Sequence, residues 1–95
     1  MKRMSYNVLL SPAVKAYISS QNRDRAKVIL KHLRELRYFP LENSKKLEPP
    51  LDRLRSMRIG GDRAHFSIRS GELYVELMDD RKKIYDKATR IERRK

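Results

Sequence analysis

Two turn signals within residues 54–85 constrain this chain more than any other feature of its sequence. Gly60-Gly61 and Ser70-Gly71 separate three short runs in which apolar and polar residues alternate. Glycine tolerates the positive φ angles that two-residue hairpin loops require, and alternation is typical of half-buried strands. The stretch therefore predicts adjacent antiparallel strands over residues 54–59, 62–69 and 72–78.

Two-residue loops would fix the register of these strands by simple counting. The counted pairs are Arg58–Arg63, Met57–Ala64, Ala64–Leu77, His65–Glu76, Phe66–Val75, Ile68–Leu73 and Arg69–Glu72. Because side chains alternate along a strand, the apolar ones share one face. That face carries Met57, Ile59, Ala64, Phe66, Ile68, Leu73, Val75 and Leu77. The other face, the basic platform, carries Arg58, Arg63, His65, Ser67, Arg69, Glu72, Tyr74, Glu76 and Met78. We expect a core on the first face and open solvent on the second.

The pair Arg58–Arg63 is chemically unusual, because like charges directly opposite each other destabilise a sheet. A phosphate between the two guanidinium groups would remove the repulsion, while two side chains splayed into water would also tolerate it. The other polar pairs of the platform join a base to an acid, and ordinary surface pairing accounts for them.

The residues upstream of the sheet predict one more strand and two helices. Alternation over residues 5–10 indicates a strand, and Ser11-Pro12 places a favoured N-cap before a residue suited to the first helical position. Over residues 25–38 apolar residues recur every three or four positions, which indicates an amphipathic helix. A linker follows over residues 41–52. Acids at positions 79 and 80 then precede a final helical run, and we interpret them as its cap rather than as metal ligands, because acids at a helix start complement the backbone dipole.

These elements give the order β-α-α-β-β-β plus a short C-terminal helix. Packing the helical hairpin on the apolar sheet face produces a two-layer α+β domain, with the first strand at the edge of the sheet. Ninety-five residues are enough for one domain with a modest core, so we expect a single domain over residues 1–95.

Composition indicates the kind of partner. The chain has 24 Lys+Arg against 12 Asp+Glu, a net charge of +12, which attracts polyanions such as nucleic acid. The absence of cysteine excludes disulfides, thiolate zinc sites and cysteine nucleophiles. No apolar run approaches the roughly 18 residues of a membrane-spanning helix, and Met1-Lys2-Arg3-Met4 is not followed by a secretory signal core. We expect a cytoplasmic protein.

Two motifs resemble those of a known family. Met57-Arg58-Ile59-Gly60-Gly61-Asp62-Arg63 is similar to the LRVGDYR stretch of the RelE/ParE superfamily, toxins of type II toxin–antitoxin modules, and Arg81-Lys82-Lys83-Ile84-Tyr85 is similar to its RKxVY ending. The opening strand, the hairpin and Lys45-Lys46-Leu47 extend the resemblance over nearly the whole chain. It implies the RelE-like fold and a cognate antitoxin. RelE-branch members cleave messenger RNA on the ribosome without a metal or other cofactor, whereas ParE-branch members poison DNA gyrase.

The resemblance also implies catalytic residues, since Arg58, Arg63, Arg81 and Tyr85 match positions of the two motifs. Cleaving RNA through its own 2′-OH needs a base, charge stabilisation at phosphorus, and an acid for the leaving 5′-oxygen. Guanidinium forks bind phosphate oxygens, so Arg63 and Arg81 suit the second role. Tyr85 or His65 could exchange the protons.

Four residues are predicted to bind RNA: Lys45, Lys46, His65 and Tyr74. The lysines would hold flanking phosphates, in a contact that is blind to sequence and sensitive to salt. Tyr74 would stack on a base or simply cover its neighbours.

Four positions depart from the family pattern. Ser56 stands where some nucleases carry a lysine, Asp79 where some carry the catalytic arginine, Asp62 where an aromatic residue is usual, and Asp80 where a histidine is often found. The departures at Ser56 and Asp79 favour a gyrase-directed toxin or a catalytically inactive relative that binds RNA or a partner. The net charge and the Arg58–Arg63 pair favour a ribosome-dependent mRNA endonuclease, which is our prediction.

Overall fold

The computed structural model describes residues 5–94, and the predictions that concern Met1–Met4 and Lys95 lie outside the described residues. The elements are β1 (Asn7–Leu10), α1 (Pro12–Ser19), α2 (Arg23–Leu36), β2 (Lys45–Lys46), β3 (Arg55–Ile59), β4 (Asp62–Arg69), β5 (Glu72–Asp80) and α3 (Ile84–Glu92). The predicted α+β order is confirmed with one addition, because β2 lies in the stretch predicted to be a linker.

The strands form one sheet in the order β1-β5-β4-β3-β2. Strand β1 joins the sheet edge as predicted and runs parallel to β5, whereas all other neighbours are antiparallel. The two turns explain the hairpins: Gly60 has φ 62°, Ser70 φ 46° and Gly71 φ 78°, values that suit tight two-residue loops. The predicted pairing of Arg58 with Arg63 is confirmed.

Local capping sets the starts of the helical hairpin. The Ser11 hydroxyl accepts from the Val14 N–H at 3.1 Å and donates to the Glu76 carbonyl at 2.8 Å, so the cap also joins α1 to β5. Asn22 caps α2 by accepting from the Arg25 N–H at 2.9 Å. The hairpin and the sheet bury a shared core of Val14, Ile18, Ile29, Leu33, Leu36, Met57, Ile59, Ala64, Phe66, Leu73, Val75 and Met78.

A β-bulge alters the predicted register in the middle of the sheet. The pairing holds from the Ser70-Gly71 turn to Phe66–Val75, but β5 then carries one extra residue, so His65 lies opposite Leu77. The predicted pairs Ala64–Leu77 and His65–Glu76 are therefore wrong. A bulge places two residues of one strand opposite one of its partner, and the side chains beyond it change face.

The change of face gives the sheet a second core. Met78, predicted on the platform, is buried in the main core, whereas Leu77 is buried on the opposite side. There α3 and the chain before β3 cover the sheet and bury Leu47, Leu51, Leu54, Leu77, Ile84 and Ala88. The expectation of an open second face is thus wrong at this end of the sheet.

Asp62 joins the helical hairpin to the β3–β4 turn. Its carboxylate is an ion-pair partner of Arg25, with an Nη2–Oδ2 distance of 2.6 Å, and accepts from the Tyr17 hydroxyl at 2.9 Å. Arg25 also donates to the Ile59 carbonyl at 2.8 Å and lies so close to Gly60 that an added Cβ would stand 2.9 Å from its Nη1. The acid that replaces the usual aromatic residue is therefore part of a packed polar contact.

Replacing Asp62 by alanine is expected to lower the free energy of unfolding by about 1.5–3 kcal/mol, because Arg25 and the Tyr17 hydroxyl both lose the charged acceptor of their hydrogen bonds. Asp62 is only 7% exposed, so water cannot fully replace the carboxylate. Urea unfolding followed by circular dichroism measures the change. The exposed Asp52, replaced by alanine, is the matched control and should change stability by less than about 0.5 kcal/mol.

Candidate functional site

Arg63 lies on β4, where one nitrogen of its guanidinium donates a hydrogen bond and a second, buried nitrogen has no partner among residues 5–94. Its Nη1 donates to the Ser56 hydroxyl at 3.3 Å across the β3–β4 pair, and Ser56 is itself buried. The Nε of Arg63 is buried and has no hydrogen-bond partner among residues 5–94. A half-buried guanidinium that a neighbouring side chain orients is suited to bind an oxyanion through its terminal nitrogens.

Arg58 is opposite Arg63 and is exposed. Its Nε donates to the Gly60 carbonyl at 3.0 Å, which holds the side chain at the turn end of the platform. The sheet therefore presents two arginines at directly facing positions, and an anion bound there would offset their mutual repulsion.

His65 is fully buried, and its predicted exposed position on the platform is wrong. Its ring meets Tyr85 of α3 edge to face, with centroids 5.4 Å apart and an interplanar angle of 60°. Neither ring nitrogen has a hydrogen-bond partner among residues 5–94. Burial, assisted by the positive charge of Arg63, lowers the pKa of His65 from 6.5 to about 4. The imidazole is therefore neutral near pH 7.

The buried imidazole is expected to make folding sensitive to pH between 6.5 and about 4, its unfolded and folded pKa values. In this window the unfolded chain binds more protons than the folded one, so the stability contributed by neutral His65 is lost as pH falls. The loss amounts to up to about 3 kcal/mol from the size of the shift. Urea midpoints measured across the window should fall more steeply for the wild type than for His65→Phe. Equal slopes would contradict the assignment.

Tyr85 and the two predicted RNA-binding lysines meet at one groove. Strand β2 pairs Lys45 with Ser56, which places the lysine beside the serine that binds Arg63. The groove has a volume of about 350 Å³ and lies between α3 and residues 45–51, with Lys45, Lys46 and Tyr85 in its lining. Tyr85 is 38% exposed although its ring covers His65. We call Lys45, Ser56, Arg58, Arg63 and Tyr85 the Arg63 surface.

Two other predicted site residues are not among those that define the Arg63 surface. Tyr74 lines a separate depression of the sheet with Arg53 and Arg69. Arg81 follows β5 and is exposed, and its backbone N–H donates to the Gly61 carbonyl at 3.0 Å. The backbone of Arg81 is thus held beside the β3–β4 turn.

Charged contacts hold α3 against the sheet, and sequence reasoning missed them. Arg53 binds Glu76 at the bulge, with an Nη1–Oε2 distance of 2.5 Å, and also binds Glu92 in the last turn of α3. Asp79, at the position where some nucleases carry an arginine, is 3.1 Å from the Nζ of Lys87. Arg53 is far from Glu76 and Glu92 in the chain, so neither spacing nor composition could have paired them. Asp79 and Lys87 are only 8 residues apart across the start of α3, and their spacing was the one local signal.

Asp79 and Asp80 were together predicted to cap the last helix, and their roles differ. Asp80 accepts from the N–H groups of Lys82 and Lys83, both at 3.0 Å, in the turn before α3. Asp79 lies within β5 and pairs with Lys87 of α3. The N-cap of α3 is Lys83, and no side-chain hydrogen bond caps it, so the prediction that the two acids cap this helix is wrong.

Among the described residues, no helix is both long enough and apolar enough to cross a membrane.

Comparisons with known proteins bear on the fold. No protein-family profile matches this sequence, and no curated protein sequence matches it significantly. A chain of the RelBE2 toxin–antitoxin complex from Mycobacterium tuberculosis superposes with a TM-score of 0.77 at 19% identity, over 84% of this chain and 95% of that one. A chain of the archaeal RelE–RelB complex from Pyrococcus horikoshii superposes with a TM-score of 0.67 at 20% identity, over 82% and 97%. A conserved hypothetical protein from Helicobacter pylori reaches 0.57 at 13% identity, over 81% and 96%. The chain therefore has a RelE-like fold.

Proposed function

We propose that this chain is the toxin of a type II toxin–antitoxin module and that it cleaves messenger RNA on the ribosome, in the cytoplasm. The observation that carries the proposal is the Arg63 surface, where two facing arginines, a lysine and an exposed tyrosine stand together on a RelE-like fold. The net charge of +12 adds a general attraction to RNA.

The proposed reaction uses the RNA's own 2′-OH as the nucleophile. The 2′-oxygen gives up its proton to a base and forms a bond to phosphorus, the bond from phosphorus to the 5′-oxygen breaks, and that oxygen takes a proton. The products are a 2′,3′-cyclic phosphate and a 5′-hydroxyl. Arg63, with Arg58 opposite, offsets the negative charge that grows on the phosphate oxygens.

Tyr85 is the candidate for proton exchange, because its hydroxyl can donate or accept and its side chain is partly exposed. His65 is buried and neutral, so in this proposal it does not contact RNA. It packs against the ring of Tyr85 and holds that ring in position. Arg81, Lys45 and Lys46 hold neighbouring phosphates in this proposal, and Tyr74 binds RNA further along the sheet.

A second function is favoured by two observations. Ser56 and Asp79 occupy positions where some nucleases carry basic residues, and Asp79 contacts Lys87. A chain without those charges fits a gyrase-directed toxin or a relative that binds RNA without cleaving it.

One experiment separates these functions. A defined message is translated in a purified system with and without the protein, and new 5′ ends are mapped by primer extension. Cleavage within codons on the ribosome supports the endonuclease. Uncut message would instead support the second function, and inhibition of supercoiling in a separate assay with purified gyrase would identify the gyrase-directed form of it.

The Arg63 surface should be masked in the cell by an antitoxin segment with acidic residues near Arg58, Arg63 and Arg81. Opposite charges steer such an encounter, so association should be fast and should slow as salt is added. Co-purification with the product of the adjacent reading frame, followed by association kinetics at several salt concentrations, tests this expectation. Harmless accumulation of the protein expressed alone at high yield would count against an active toxin.

A further inference from the structure

The groove between α3 and residues 45–51 combines cations with apolar walls. Lys45 and Lys46 stand at one side, Pro49 and Pro50 form a wall, and Tyr85 and Thr89 face them from α3. Leu47 and Leu51, both buried, also contribute to the lining. The volume of about 350 Å³ is at the small end of the roughly 300–1,000 Å³ range of small-molecule sites. It suits one planar group rather than a folded segment.

The chemistry of this lining matches a single nucleotide. An unstacked base gains stability against aromatic and apolar side chains, and its phosphates are attracted by lysines. The groove shares Tyr85 and Lys45 with the Arg63 surface, so a strand whose phosphate lies at Arg63 can place an adjacent base in the groove. Glu48 also lines the groove, and its carboxylate accepts hydrogen bonds without donating any. It would favour a base with an exocyclic amino group over uracil, because the N3–H of uracil lies between two carbonyl oxygens that a carboxylate repels.

We infer that the groove of Pro49, Pro50, Tyr85 and Thr89 is a base-binding subsite for single-stranded RNA, with a preference for amino-bearing bases. This inference rests on the proposed action on RNA and adds where a base next to the cleaved phosphate is held. It assigns Thr89 and the two prolines to substrate recognition.

Binding is tested with a probe that cannot be cleaved through its 2′-oxygens, a fluorescent 2′-O-methyl RNA of six adenosines, by fluorescence anisotropy. Thr89→Phe fills the groove and should weaken binding about tenfold or more, the scale of losing one stacked base. Thr89→Ala keeps the groove open and removes only one lining contact, so it should weaken binding far less than Thr89→Phe does. Ser19→Phe adds the same side chain on an exposed site of α1 and is the matched control.

The position and identity of the base are tested with altered probes. A single abasic residue is placed at each position of the probe in turn. It should weaken binding far more at one position than at the others. A six-uridine probe should bind more weakly than six adenosines to the wild type, and Glu48→Ala should remove most of that difference. Uniform effects at every position would show backbone binding alone and would overturn the subsite.

The remaining outcomes separate this inference from the proposed function. Groove-dependent binding by a protein that never cleaves messages on ribosomes would keep the subsite and remove the endonuclease. Cleavage that is equally efficient in Thr89→Phe and Ser19→Phe would keep the endonuclease and overturn the subsite. If Thr89→Phe loses only the product of the adjacent reading frame and keeps RNA, the groove binds protein, and the inference is overturned.

Discussion

Replacing Arg63 by alanine is expected to lower the rate of mRNA cleavage on ribosomes by roughly 100- to 1,000-fold, the usual loss when one electrostatic stabiliser is removed from a transition state. Arg63 is held by Ser56 through Nη1, which orients the guanidinium before substrate arrives. RNA binding should weaken far less, because many other cations contact the backbone. Cleavage rates are measured under single-turnover conditions on ribosomes programmed with a defined message.

Controls identify what Arg63 contributes. Arg63→Lys should recover only part of the rate, because an ammonium group lacks the planar fork. Arg69→Ala removes the same charge from the far, exposed end of the same strand and should leave the rate near that of the wild type. A deoxyribose at the cleaved position should stop the reaction while binding persists, and a chelator selective for transition metals, added at constant Mg²⁺, should not change the rate. Equal losses of binding and cleavage in Arg63→Ala would reduce the residue to a phosphate clamp.

The sequence predicted the pairing of the strands correctly wherever a tight turn fixed the register. The Gly60-Gly61 and Ser70-Gly71 loops each contain two residues, so counting outward from them predicted Arg58 opposite Arg63 and Phe66 opposite Val75. The same counting failed beyond the bulge, because an extra residue in a strand needs no glycine and leaves no turn signal. One sign was present in the consecutive apolar residues Leu77-Met78, where strict alternation ends.

The covered half of the platform could not be predicted from local patterns. Strand β2 is two lysines long and has no apolar alternation, so it was indistinguishable from a linker. The helix α3 covers His65 because Ile84 and Ala88 pack against Leu77 and the leucines of residues 47–54. These contacts form only after the chain folds. The prediction of Arg63 and Tyr85 as site residues came from motifs. Their placement beside Lys45 required the tertiary structure.

The bulge has a consequence for the proposed chemistry. By moving Leu77 to the α3 side, it creates the apolar contact on which α3 rests, and α3 in turn supplies Tyr85. It also places Glu76 where Arg53 can bind it together with Glu92. The position of the tyrosine thus depends on the sheet irregularity as well as on the helix that carries it.

Replacing Phe66 by alanine is expected to lower the free energy of unfolding by about 3–5 kcal/mol, because the aromatic ring loses its burial and leaves a cavity behind. Phe66 is 0% exposed in the core between the helical hairpin and the sheet, and it forms the last pair before the bulge. A loss of this size is a large part of the roughly 5–15 kcal/mol that stabilises a typical domain.

Phe39→Ala is the matched control for Phe66→Ala, since it makes the same substitution at a side chain that is 44% exposed. It should cost less than about 1 kcal/mol, in line with surface substitutions. Urea unfolding of both variants, followed by far-ultraviolet circular dichroism at pH 7, gives the two values under one condition. If Phe66→Ala costs no more than Phe39→Ala, Phe66 does not fill the core, and the register that places Arg63 on the opposite face of β4 is wrong with it.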